Sequence, residues 1–458
     1  GGTDANDQLR VAALRFGQSG DDFWPGPLTV DMNASVDKSV CEKWDKHFII
    51  TKAEVEYFVA GIEKDAAGNV ISVDASRATE AIKTWPAHGD VSKKQSKFLA
   101  PFYDQNGNGV YEWEMGDYPY YDLSGELCPA KIKANLPAGS AYTPTPTFES
   151  NTTNPNYGTG GALEAKGGLL VDQVLKGDQT IWWVFNDKGN AHTESGSENP
   201  IGLEIRAQAF AFTMSDEINN MTFYSYEIIN RSTFVLTNTY FSQWVDPDLG
   251  YAADDYVGCD VERGLGYCYN GKATDGPGTG AYSGNPPAIG IDNPKVDVAA
   301  FIDFYGAEAL EPYKDSNGVV NPILLTDDAY KFKDAWYPKS KDPVDACAIN
   351  GVNFGNGIVD DERFGMRRFI YYNNSSANNG EPDKATDYYN YLRGIWKDGK
   401  RMCYGGDGYN LNSIGYQDGI YADFMFPGTS DIWGWGTATN GNESVGKTIE
   451  WTEQTAGN

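Results

Sequence analysis

Positive charge is scarce in this chain. Thirty-six Lys and Arg stand against 64 Asp and Glu in 458 residues, a formal balance of −28. Nucleic-acid binding needs basic surface for phosphate contacts, and anionic lipid attracts the same basic clusters, so both partner classes are excluded. Histidine is rarer still: His47, His88 and His192 are the whole supply. None stands in an HExxH, GxSxG-associated or CxxCH setting, and no GxxxxGK[ST] loop occurs, which removes zinc-protease, hydrolase-triad, haem and phosphate-loop readings. His192, in Asn190-Ala191-His192-Thr193-Glu194, reads as a turn-stabilising hydrogen-bonder. The six cysteines contain no CxxC pair, so metal fingers are unsupported. No apolar run approaches the roughly 18–20 residues of a membrane span, and no direct membrane insertion is expected.

What the chain has in quantity is turn formers and aromatics. Gly 52 and Pro 22 imply many turns and short elements, while 40% hydrophobic and 14% aromatic residues are too many for a disordered chain. Leu203 to Thr213 alternates Ile205, Ala207, Ala209 and Ala211 with Glu204, Arg206, Gln208, Phe210 and Phe212. Strands are expected near 179–185, 203–213, 221–230 and 235–245, with tight polar turns at Asp216–Asn220 and Asn230–Ser232, and a further strand over Gln8–Phe16. The small face and the mixed polar-aromatic face suit a sheet packed on one side and partly wet on the other. Short helices are expected over Thr51–Phe58, Leu325–Phe332 and 387–396. The fold class is therefore all-β: antiparallel β-sandwich with long ordered loops and a few short helices. Three regions follow: 1–150, β-rich with a calcium-loop-like segment; 151–305, the sandwich core; and 306–458, loop-rich and packed on the sandwich. Thr143–Thr147 and Asn151–Pro155 read as a linker or extended crossover.

The acids are not evenly spread. Asp104-Gln105-Asn106-Gly107-Asn108-Gly109-Val110-Tyr111-Glu112 puts oxygen side chains at loop positions 1, 3, 5 and 9, with Gly at position 6. This is the first half of a calcium loop, in which alternate side chains point inward and a backbone carbonyl, here that of Val110, adds a ligand. Met115 occupies position 12, so Glu114 or Asp117 must close the shell. A second cluster, Asp246, Asp248, Asp254, Asp255 and Asp260, would repel itself unless spread into solvent or neutralised by a cation, and calcium is expected there too. Asn353–Glu362 and Asp315–Gly318 are weaker versions.

Cys259 and Cys268 flank Arg263-Gly264-Leu265-Gly266, a spacing that could close a hairpin-like loop. A disulfide in an oxidising compartment and a pair of reduced, buried thiols are both open. Cys41, Cys128, Cys347 and Cys403 allow three further connectivities. Trp182, Trp183 and Trp244 suit a thick core, and Trp396 could either fill it or stack on a sugar ring. Trp433 and Trp435, in a Gly-rich segment, are candidates for stacking on sugar rings. The sequons at Asn33, Asn151, Asn230, Asn373, Asn374 and Asn442 carry little weight in an Asn-rich chain.

Several long strings carry a resemblance: FWPGPL (23–28), GDQTIWWVFNDKGNAHTE (177–194), PIGLEIRAQAFAF (200–212), DEINNMTFYSYEIINRS (216–232), WVDPDLG (244–250), DDYVGCDVERGLGYCYNG (254–271), FGNGIVDDERFGMRRF (354–369) and YYNYLRGIWKDG (388–399). The chain resembles a family of large secreted surface proteins of Bacteroidota, marked by a C-terminal type IX secretion sorting domain and mostly without assigned function. The resemblance implies export across the outer membrane and a place at the cell surface or outside it. It also implies further β domains and the sorting domain beyond Asn458, and the Gly1-Gly2-Thr3-Asp4 opening suggests a processed or internal segment. It supplies no catalytic residues. The expectation is an extracellular, calcium-stabilised structural protein of a filament, surface layer or adhesin, without catalysis. Its partners would be further copies of itself, other cell-surface proteins or glycans. The alternative is a glycan-binding or glycoside-hydrolysing module with an exposed Trp beside two carboxylates.

Overall fold

The computed structural model describes residues 1–15, 20–31, 33–123, 174–261, 263–292, 366–431 and 450–457, and the backbone of short strands between them. Strands dominate, each ladder between them is antiparallel, and among the described residues the helices are five short α-helices and a few single 3-10 turns. The all-β class is what the alternation of the central segment implied. The structure distributes it over several small sheets, the largest of five strands.

That sheet is built from β1 (Trp24–Pro25), β2 (Phe48–Thr51), β3 (Gln179–Asn186), β4 (Leu203–Ala211) and β5 (Phe223–Asn230). β4 lies between β3 and β5, while β1 and β2 share the far edge of β3. Register places Trp182 opposite Gln208, Val184 opposite Arg206 and Asn186 opposite Glu204. One face therefore carries Trp182 and Val184 beside Glu204, Arg206 and Gln208, and all five are buried. The polar side of β4 lies inward. The opposite face presents Trp183 and Ala207, and on β5 Tyr224 and Tyr226, which are 53% and 49% exposed.

Trp182 and Val184 join Trp44, Ile50, Phe58, Ile82, Trp85 and Phe102 in one apolar core. The helix Lys52–Val59 reaches that core through Val55 and Phe58. It starts where expected, at a reciprocal cap between Thr51 and Glu54. A second core gathers Trp396, Met402, Tyr404, Met425, Phe426 and Trp451 beneath the helix Ala385–Leu392.

Two expected elements are corrected. The run 235–245 is a strand only at Leu236–Thr237, paired with Gly2–Asp4 rather than with the central sheet. Asn238 is in the left-handed region at φ 46°, which no continuing strand tolerates. The expected helix over Leu325–Phe332 is a strand over its last four residues, Ala329–Phe332, hairpinned to Ala335–Pro338. Its aromatic-rich composition favours pleated backbone.

Buried charge on the inner face is neutralised in place. Glu204 Oε1 lies 2.9 Å from Arg206 Nη2 and 3.0 Å from Arg231 Nη2, and Oε2 accepts the Leu28 N–H at 3.0 Å. Burial alone would raise the Glu204 pKa; Arg231 and Arg206 outweigh it and hold the carboxyl below its ordinary value. Glu204→Ala removes the carboxylate that two buried guanidinium groups share, leaving Arg206 the longer contact to Glu227 at 3.5 Å, and urea unfolding should show a loss of about 3–5 kcal/mol. With the folded pKa depressed, this contribution is present above the ordinary value of 4.5 and is lost as pH falls through the folded one.

Candidate metal centre and acidic cavity

The 104–117 loop hangs from the first core. Phe102–Tyr103 pairs with Tyr118–Pro119, so the two chain ends enter and leave side by side. Asp104 leaves this ladder buried. Its Oδ1 accepts the Gly107 N–H at 2.7 Å and its Oδ2 the Gly109 N–H at 2.6 Å, a wrap that needs positive φ at both glycines (75° and 70°). Asn106 Oδ1 accepts the Asn108 N–H, Asn108 Oδ1 accepts the Val110 N–H, and Asn108 Nδ2 donates to Glu112. Asn106, Asn108 and Val110 form the exposed rim.

Asp117 closes the loop. It is completely buried, and its two oxygens accept the Gln105 and Glu112 N–H groups, each at 2.8 Å. Glu114, the other candidate for that place, is exposed. Burial first, then the neighbouring Asp104 and Glu112, push the Asp117 carboxyl up to about 6 despite those two hydrogen bonds. Among the described residues no Lys, Arg or His forms an ion pair with Asp104 or Asp117. The donor set is oxygen only: two buried carboxylates, Glu112 and two side-chain amides, the chemistry of a hard divalent cation. The donor types are those calcium takes, without a converged cage. No trio of His, Cys, Asp or Glu converges at metal distance among the described residues, so a site here would lean on amide and backbone oxygens.

His88 anchors the loop. Its Nδ1 sits 2.6 Å from the Lys97 carbonyl and its Nε2 accepts the Tyr111 N–H at 2.8 Å, an arrangement that needs the neutral ring. Burial lowers its pKa accordingly. His192 is likewise structural, with Nδ1 and Nε2 at 2.6 and 2.5 Å from the carbonyls of Val11 and Asp187.

The second acidic cluster does not form one site. Asp246 and Asp248 are exposed. Asp260 sits at the turn of a hairpin, β6 (Asp255–Asp260) and β7 (Leu265–Asn270), where Arg263 Nη1 neutralises it at 2.6 Å. Asp254 and Asp255 turn instead toward a cavity of about 450 Å³. Asp275, which the sequence pattern left out, packs beside them and accepts the Tyr251 and Tyr282 N–H groups. Asp407 and Glu453 line the same cavity, as do Tyr256, Tyr371 and Tyr372. They come from segments up to about two hundred residues apart, and no local spacing marks them.

The hairpin is where Cys259 and Cys268 were expected to bridge. Both are free and buried. Register sets Cys259 opposite Gly266 and Cys268 opposite Val257, a diagonal offset rather than a facing pair. Each thiol donates elsewhere, Cys259 to the Met425 carbonyl and Cys268 to that of Pro247. Diagonal neighbours on adjacent strands lie about 7–8 Å apart, beyond disulfide reach without backbone movement. Trp433, Trp435, Cys128, Cys347 and the loops at 353–362 and 315–318 lie outside the described residues. Among the described residues no helix is long and apolar enough to cross a membrane.

Comparison of the chain with protein families, curated proteins and solved structures finds no match. The geometry is therefore what bears on function.

A carboxyl whose folded pKa lies above its ordinary value adds stability that is complete below that ordinary value and is lost as pH rises through the folded one. For Asp117 this window runs from 3.8 to about 6. In calcium-free buffer, Asp117→Asn should remove that part of the pH dependence. Melting curves at pH 4 and pH 7 should differ less for the variant than for the parent.

Proposed function

We propose that the chain is a calcium-stabilised structural component of an extracellular surface, part of a filament, surface layer or adhesin exported by type IX secretion, with no catalytic role. One observation carries this reading. Asp104 and Asp117 are buried within one loop, among the described residues neither is ion-paired with a Lys, Arg or His, and Asp117 is driven toward protonation by that placement. Calcium held by Asp104, Asn106, Asn108, Glu112 and Asp117 would let both acids ionise and would pin a long excursion onto the β scaffold. The loop's ends form a short ladder on the core, so tightening it stiffens the scaffold rather than shaping a cleft.

The surroundings support the same reading. The net charge of −28 suits a calcium-rich exterior and excludes the common intracellular polyanion partners. The family resemblance implies export. The outer edge of β5, with Tyr224, Tyr226 and Ile228 exposed beside it, has the character of a strand that associates side by side.

Calcium that binds only the folded state at a hundred times its dissociation constant adds about 2.7 kcal/mol. Scanning calorimetry at pH 7.5 should show a higher melting temperature with calcium than with chelator. The gap should shrink at pH 5, where protons compete for Asp117. Asp104→Asn and Asp117→Asn should abolish the calcium increment, and Asp260→Asn should keep it. An unchanged melt on chelation would remove calcium from the reading. Electron microscopy of the calcium-loaded protein checks assembly, and a strictly monomeric particle would remove the filament.

A further inference from the structure

One long edge of the central sheet is open among the described residues. On the far side, β3 is flanked by the short strands β1 and β2, while β5 pairs only with β4. The Arg231 N–H donates to the Gly202 carbonyl at 2.9 Å, which carries the β4–β5 register one step past Asn230. In an antiparallel ladder such bonds recur at every second residue, so Phe223, Ser225, Glu227 and Ile229 turn their backbone groups toward β4. Tyr224, Tyr226 and Ile228 turn theirs outward. Among the described residues no hydrogen bond from outside the ladder reaches those groups. The same three side chains stand exposed on the outer face.

Edge strands that stay single are usually short, bulged, or interrupted by Pro or Lys. β5 runs eight residues in unbroken register and contains no Lys, Arg, Pro or Gly. Its rings are ordered in advance. Tyr224 and Tyr226 stack with their planes 7° apart, and Trp183 meets Tyr226 edge-on, so little side-chain freedom is left to lose on contact. The edge is also nearly neutral in a chain of net charge −28. Its single charge, Glu227, faces Arg206 Nη1 at 3.5 Å. A basic partner has little to hold here; an uncharged strand has much.

We propose that β5 pairs antiparallel with β5 of a second copy, about a two-fold axis at Tyr226. Charge selects the axis. An axis at Glu227 sets that acid against its own copy, and one at Ser225 sets it against Phe223. The axis at Tyr226 sets Glu227 against Ser225, Tyr224 against Ile228, and Tyr226 against Tyr226. These are carboxylate–hydroxyl, aromatic–β-branched and aromatic–aromatic pairs, of the kinds that stabilise neighbouring strands. The two five-stranded sheets become one. Each copy contributes its one long open edge, so the contact is isologous and closes at two. The proposal rests on the assembly part of the reading above, and a filament then needs a second surface of another kind.

Sedimentation equilibrium of the whole chain in saturating calcium reads the association. A reversible monomer–dimer equilibrium is expected. It should tighten between about 50 and 500 mM NaCl, because salt screens the repulsion between two acidic copies. Tyr226→Lys opposes two ammonium groups at the axis and should weaken the dimer about tenfold or more, with melting curves to check that the variant folds. Oxidative cross-linking reads the register. Residues facing one another in a hydrogen-bonded pair have Cα atoms about 5.5 Å apart, within disulfide reach, whereas the two copies of Tyr224 lie four residues out of step, about 13 Å. Tyr226→Cys should therefore give a covalent dimer, and Tyr224→Cys none beyond the parent's. The proposal is overturned by a monomer at every concentration up to about 0.1 mM, by affinity unchanged in Tyr226→Lys, by weakening in salt, or by equal cross-linking of the two cysteine variants. The calcium reading fails separately, through an unchanged melt on chelation.

Discussion

Buried negative charge must be met by something, and in this chain the means of meeting it differ from site to site. Glu204 has two arginines and a backbone N–H. Asp423, also buried, has Arg367, Arg368 and Arg401 around it. Asp22 and Asp187 are served by backbone N–H groups, with the His192 ring 3.9 Å from each. Where arginine is supplied, the carboxyl is held ionised and the surroundings close around it. Where only amides are supplied, at Asp117 and Glu453, the carboxyl drifts toward its neutral form. An excess of acid over base makes the second situation unavoidable somewhere, and Asp187, met by the Ile201, Gly202 and Leu203 N–H groups, is likewise raised by burial.

This constraint also explains the sheet. A strand alternating Ile and Ala with Glu, Arg and Gln has every appearance of an amphipathic edge with its charges in water. The inward position of Glu204 and Arg206 is stable because the charges cancel within the layer and share it with Trp182 and Val184. Ala207, which has no bulk to contribute, is covered by its cross-strand neighbours Trp183 and Tyr226, of which Trp183 is partly buried and Tyr226 remains half open to solvent.

Much of this architecture was legible in the sequence. The strands near 179–185, 203–213 and 221–230 announce themselves by alternation, and a short helix is expected where Thr51 begins one. The Asp104 loop shows in the spacing of oxygens around its glycines. What was not legible depends on contacts across the chain. Whether Asp117 or Glu114 turns inward is decided by the Gln105 and Glu112 N–H groups. Whether Cys259 and Cys268 face one another is decided by hairpin register, which their spacing leaves open. The second acid cluster looked like one site because its members are close in sequence. The hairpin separates Asp260 from Asp254 and Asp255 and brings in Asp275 and the distant Glu453. Acid density in sequence marks repulsion; it does not say which neighbour relieves it.

One detail of the loop has an optical consequence. Trp113 sits in a helical turn at Trp113–Met115, between Glu112 and Asp117, with the Lys83 ammonium 5.6 Å over its ring. Indole emission is sensitive to nearby charge and to water, so a rearrangement of the carboxylates on either side alters the light this residue gives back. The protein thus carries a fluorophore within the 104–117 loop, and a Trp113→Phe difference spectrum separates its emission from that of the other eleven tryptophans.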